Sequence, residues 1–241
     1  MSRSNNTEFP NPAKRFYTWD GENGGFKYFD KNRGEKGERV SVPLPFRFLV
    51  LDTLSTIKGF NDADQSGYWS NEIRDIKKDI LTVRTKTGIV SKGLYEQVIT
   101  DRNCTGAKFC QSVYCAIKAD DGTLEICNIQ MTGAALSAWI DFRKKNKVYE
   151  GAVEVSEMNE GKKGKTKYQI PVFKKIEVTP DTDEVAKGLD KELQAYLIQY
   201  FIKTREEIAQ VHAEEKAEPI PTPDPRNPLG VELPEKDDLP F

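Results

Sequence analysis

The spacing of apolar and polar positions divides the chain into a strand-rich body, one long helix and a polar end. Aromatic runs on either side of Gly21–Gly25 predict a hairpin over residues 15–30. Residues 38–60 form the most apolar stretch and predict a long, largely buried strand beginning near Pro45. Pro43 and Pro45 belong at its edge or in a bend, because proline donates no ladder hydrogen bond. Further on, Leu81, Val83 and Thr85 alternate with Thr82, Arg84 and Lys86, the period of a strand with two different faces. Residues 107–131 read as two strands joined at Asp120-Asp121-Gly122, a strong hairpin signal. Leu136, Trp139, Ile140 and Arg143 then recur at helical spacing. Residues 147–155 and 166–178 form a second hairpin around a polar tip.

Strands, one helix, then two strands is the order of the OB-fold, with the N-terminal hairpin as an addition. The expected fold class is mainly β: an elaborated OB-fold (a Greek-key β-barrel) with a C-terminal amphipathic helix and a disordered acidic tail. Residues 1–14 are expected to be a flexible arm and 15–180 the barrel. The helix follows over 181–216, with the apolar stripe beginning at Val185, Leu189, Leu193, Tyr196 and Leu197. Tyr200, Phe201, Ile208 and Val211 continue that stripe, which is expected to pack on the barrel or on a partner subunit. Residues 217–241 are rich in proline and too polar to bury a core, so they read as an extended tether.

Composition narrows the chemistry. No stretch approaches the ~20 apolar residues that cross a bilayer, and residues 1–15 lack an apolar leader core, so the expected compartment is the cytoplasm. Cys104, Cys110, Cys115 and Cys127 lack the close pairs of zinc knuckles and are read as small buried strand residues, with a four-cysteine zinc site as the alternative. The single histidine, His212, excludes histidine-based triads, and phosphate-binding and nucleophile-elbow motifs are absent from the sequence. Asp62 and Asp64, or Asp120 and Asp121, are acidic pairs of the type that holds magnesium, but a polar loop and a hairpin turn explain them. The expectation is a non-enzymatic protein without metal or other cofactor. The net charge of −2 conceals an acidic end: from residue 213 onward eight acids oppose three bases, 3 − 8 = −5, leaving +3 on the rest. A mildly basic body with an acidic tail is the pattern of a nucleic-acid binder with an interaction arm.

Single-stranded nucleic acid needs ring faces for bases and cations for phosphates. Phe16, Tyr17, Trp19, Tyr28 and Phe29 supply rings in the N-terminal hairpin, with Lys27, Lys31, Arg33, Lys36 and Arg39 interleaved or just after them. About half of these rings should point inward by alternation. Lys27, Phe29 and Lys31 share one face and are the better binding set. Tyr68 and Trp69 follow Gly67 in a polar loop rather than an apolar strand and form a second candidate. Arg84 and Lys86 lie on the outward face of their strand. Lys162, Lys163 and Lys165 occupy a hairpin tip that reads equally as a phosphate-clamping finger or as a solvated turn.

The terminal residues Asp237, Asp238, Leu239, Pro240 and Phe241 resemble the acidic C-terminal tip of bacterial single-stranded DNA-binding proteins, and several bacteriophage counterparts also end in an acidic tail with a final aromatic. The resemblance implies a barrel that coats single-stranded DNA during replication, recombination and repair. It also implies a tip that docks on a polymerase, helicase or primase, or recombinase. A homo-oligomer is compatible with it. The proline-rich tether and the added helix depart from bacterial members and favour a viral or mobile-element source. A recombination mediator or strand-annealing protein is a related alternative. A virion structural or adaptor protein is an alternative of a different class, favoured if the Lys27–Phe29–Lys31 face is internal or covered by acids.

Overall fold

In the computed structural model of the chain, backbone is described for residues 10–62 and 65–217, and side chains as far as residue 209. Tertiary contacts divide the chain into two units, Met1–Ile202 and Lys203–Phe241. The first is mainly β and holds strands β1 (Phe16–Trp19), β2 (Phe26–Asp30), β3 (Glu38–Val42) and β4 (Phe46–Asn61). β5 (Ser66–Ser70), β6 (Leu81–Thr85), β7 (Gly88–Gly93) and the short helix α1 (Tyr95–Thr100) follow. Then come β8 (Ala107–Lys118), β9 (Leu124–Met131), α2 (Gly133–Lys145), β10 (Ala152–Lys163) and β11 (Thr166–Ile176), and last α3 (Pro180–Ala217), whose residues from Lys203 onward belong to the second unit.

The sheet order is β3-β2-β1-β9-β8-β4-β5-β6-β7, with β10 pairing to both β4 and β11. β4 serves two partners because it is 16 residues long. Its start, Phe46 to Phe48, pairs with β10, while Leu49 to Gly59 pairs with β8. A bulge between Val50 and Asp52, just inside the part paired with β8, shifts the side-chain phase. Among the described residues, the second edge of β9 is taken in parallel by β1.

Three apolar clusters hold the unit together. The largest lies between β1–β2, β4, β8–β9, β10–β11 and α2, with Phe48, Ile129, Met131 and Trp139 fully buried. A second joins Leu54, Tyr114 and Ala116 to Leu193 and Leu197 of α3. Complete burial of an aliphatic side chain of this size contributes ~1.5–3 kcal/mol. A third, with Ile57, Tyr68, Ile73, Leu81, Val83 and Val98, lies beneath β5–β7 and α1.

Several sequence expectations are corrected. Pro10 to Lys14 belong to the body rather than to an arm: Ala13 is buried, Asn11 Nδ2 donates to the Tyr114 hydroxyl at 3.1 Å, and Lys14 N–H donates to Ile126 O at 2.8 Å. The long buried strand expected to begin near Pro45 is β4, and residues 38–42 before the prolines form a separate strand, β3. Val185 is exposed although it fits the α3 stripe, since the buried face follows Ala186, Leu193 and Leu197. Tyr68 and Trp69 lie on a strand. Cys110, Cys115 and Cys127 are buried strand residues and Cys104 is buried in a single 3-10 turn; all four are free thiols. Burial pushes the Cys110 and Cys127 thiols up to about 12, which leaves them protonated. No helix among the described residues is long and apolar enough to cross a membrane.

Candidate nucleic-acid interface

Register decides which side chains share a side of the sheet. Directly opposed residues project to the same side, and successive residues along a strand alternate. Arg39 faces Phe29 across β3 and β2, and Ser41 faces Lys27. Lys27 in turn faces Thr18 on β1, Thr18 faces Gln130 on β9, and Gln130 faces Ser112 on β8. Phe16 shares the Thr18 side and stands opposite Asn128. Along β8 the same side continues through Cys110 to Lys108. Lys108 faces Lys58 on β4, Lys58 faces Trp69 on β5, and Trp69 faces Arg84 on β6. One side of a continuous sheet therefore carries the Lys27–Phe29–Arg39 group at one end and the Trp69–Arg84 group at the other.

The rings on this side are open. Phe29 is 54% exposed, Phe60 50%, Phe16 43% and Trp69 41%. Local glycines explain two of them. The Phe29 ring lies against Gly37, where a Cβ would collide with its edge, so the glycine leaves room for the ring and supplies the positive φ of the turn. Phe60 stands opposite Gly67, so no cross-strand side chain covers it. Next to Phe60, Gly59 allows the backbone of Gly106 and Ala107 at the start of β8 to approach closely.

The opposite side of the same strands is core. Tyr17, 2% exposed, packs edge-on against Tyr28 and Phe46, and burial raises its hydroxyl to about 12 against the lowering hydrogen bond with Arg15. Tyr68, 3% exposed, donates its hydroxyl to Asn103 O at 2.8 Å within the third cluster. Tyr17 and Tyr68 are thus corrected from binding candidates to core residues. Trp19 and Tyr28 are half-buried on the core side. Trp19 packs on Phe26 and donates Nε1 to Gln169 O at 2.8 Å, while Tyr28 carries the Arg15 guanidinium 5.3 Å from its ring centroid.

The remaining cations are spread more widely. Lys27 reaches Asp20 at 3.5 Å and Arg33 reaches Glu38 at 3.3 Å. Lys31 and Lys36 are exposed in the β2–β3 turn, and Lys86 is exposed in the β6–β7 turn. Lys162, Lys163 and Lys165 are exposed at the β10–β11 tip. That hairpin is tied beside the β1–β2 turn through the 2.7 Å hydrogen bond from Gln169 N–H to Gly21 O. The face that would favour an adaptor if covered is therefore open at Phe29 and Lys31. Asp237 to Phe241 lie outside the described residues. Lys58, Phe60 and Lys108 join the interface although the sequence reading passed over them. The signal for Lys58 and Phe60 was the Lys-Gly-Phe ending of an otherwise apolar strand; Lys108 carried none.

Between the two ends of this face lies a buried polar junction. Glu72 accepts hydrogen bonds from the Ser112 hydroxyl and, at 2.8 Å, from the Tyr114 hydroxyl, while its backbone N–H donates to the Tyr200 hydroxyl at 2.7 Å. Burial raises the Glu72 carboxyl above its ordinary range, and the two hydroxyl bonds only partly offset this. Asp52 binds Arg74 at 2.9 Å and accepts from Gln194 Nε2 at 3.0 Å. These contacts fasten α3 between Gln194 and Phe201, whose ring lies 5.3 Å from the Arg74 guanidinium, and so keep part of the sheet covered.

No protein-family model, curated protein or solved structure matches this chain. Among the described residues no group of three or more histidines, cysteines or acids is placed to hold a metal ion.

Proposed function

We propose that the protein binds single-stranded DNA without reading its sequence, and that its acidic C-terminal tip recruits replication, recombination or repair proteins. The continuous outer side from Arg39 and Phe29 to Trp69 and Arg84 carries this reading, because it combines open rings with cations on one surface. The accompanying fold reading is an elaborated OB-fold. In its favour, β4, β8, β9, α2, β10 and β11 follow the chain order of that barrel, and the pairings β4–β8, β8–β9, β4–β10 and β10–β11 fit it. The departure is at the closing seam, where β1 occupies the edge of β9 that β11 would take. The role is non-enzymatic and cytoplasmic, in a bacterial host if the source is viral.

Titration of a fluorescently labelled oligothymidine tests this reading. The expected result is preference for single strands over duplex, with affinity falling steeply as salt rises. Equal affinity for duplex, or affinity unchanged by salt, overturns it. Deleting residues 237–241 should preserve or tighten DNA binding and abolish capture of a polymerase, helicase or recombinase. Loss of DNA binding on that deletion would refute the separation of roles.

A further inference from the structure

We infer that the outer face holds a single strand at two separate stations, so that tight binding requires a minimum oligonucleotide length. The inference rests on the single-strand reading above and adds to it how the strand is held. The first station is Phe29 with Arg39, flanked by Phe16 and Lys27. The second is Phe60 and Trp69 with Lys58, Arg84 and Lys108. Between them the same side presents Thr18, Gln130, Ser112 and Cys110, none with a ring or a cation; the Tyr114 ring on that side is buried under α3, and the Glu72 carboxyl lies against Ser112. Ser112 is itself fully buried and bonded to the Glu72 carboxyl, so the middle offers no base platform and no cation for a phosphate. A strand crossing this gap gains little from it and must reach the far station to profit.

The sheet sets the span. β2, β1, β9, β8, β4 and β5 are successive neighbours, and five steps of ~4.8 Å give about 24 Å along the sheet. A strand stacked as in a duplex advances ~3.4 Å per nucleotide, so about seven nucleotides bridge the gap, and a more extended strand needs fewer. Shorter oligonucleotides occupy one station at a time. Longer ones occupy both, the second at the high effective concentration set by the first.

Fluorescence anisotropy with labelled oligothymidines of about four and about twelve nucleotides, lengths within the usual range of barrel sites, tests this on the full chain. The wild type should bind the longer oligomer at least about tenfold more tightly than the shorter. Trp69→Ala and Phe29→Ala should each abolish the length step, because either one removes a station. Both rings are exposed, so neither change opens a core cavity. Lys108→Gln, at an exposed lysine, is a second variant that should shrink the step without touching a ring. Retention of the full step in Trp69→Ala and Lys108→Gln overturns the two-station arrangement while leaving single-strand binding intact. So does an affinity that rises evenly with length in the wild type. Failure of both oligomers to bind removes the single-strand reading and this inference with it.

Discussion

Phe16 and Tyr17 are neighbours in the chain, yet the first ring is 43% exposed and the second 2%. Trp69 and Tyr68 repeat the division on the far side of the sheet, at 41% and 3%. Residue type does not separate these pairs; strand phase does. Tyr17 and Tyr68 point into clusters already closed by Phe46 and by Ile73 and Leu81, whereas Phe16 and Trp69 point to the side that no helix covers at those positions. The same outer side is covered elsewhere, where Leu54 and Tyr114 lie under Leu193 and Leu197 of α3. A ring is a candidate platform only where its phase is outward and nothing packs over it. The two faces of one sheet thus differ in burial although they carry similar residues.

Substitutions that separate the faces sharpen this contrast. Phe48→Ala, at a fully buried ring in the largest cluster, should cost ~3–5 kcal/mol, read as a lower urea midpoint. Phe29→Ala on the outer side should change the same midpoint by no more than ~0.5 kcal/mol. If Phe29→Ala destabilised comparably, the outer ring would be core and the contrast would collapse. Tyr68→Phe and Trp69→Ala divide the next pair. The first removes the hydrogen bond to Asn103 O and should cost ~1 kcal/mol of stability with DNA affinity unchanged. The second should leave stability unchanged and weaken binding of a long oligothymidine by the ~1–3 kcal/mol of one stacked base.

The polar junction under α3 predicts a pH effect confined to the covered part of the sheet. Burial raises the Glu72 carboxyl, so the folded state holds that proton more tightly than the unfolded chain does. Relative to Glu72→Gln, wild-type stability should be highest below the unfolded value of about 4.3 and should decline as pH rises through the elevated folded value. Urea midpoints of both proteins across that interval check it; a wild-type advantage that instead grew with pH would reverse the assignment. The smallest effect is expected at Arg33→Gln. Its exposed pair with Glu38 should contribute under ~1 kcal/mol, read as a small shift of the urea midpoint.

The sequence by itself determined the local elements. Asp120-Asp121-Gly122 makes its turn with Gly122 at positive φ, the helical spacing around Trp139 becomes α2, and the alternation through Leu81 and Val83 becomes β6. It also supplied both ends of the interface, since Phe29, Trp69 and Arg84 stand out from polar or alternating surroundings. Tertiary structure decided how the ends are joined. Nothing in the local pattern says that β1 pairs in parallel with β9, or that Lys58 lies between Lys108 and Trp69, because strand neighbours are chosen by burial of distant faces. The same holds for Tyr68, whose polar neighbours hid a buried ring, and for Asn11 and Ala13, drawn into the body by Tyr114 and the α3 cluster. Periodicity is a property of a short segment and can be read from it, whereas which of two faces is covered depends on residues a hundred positions away.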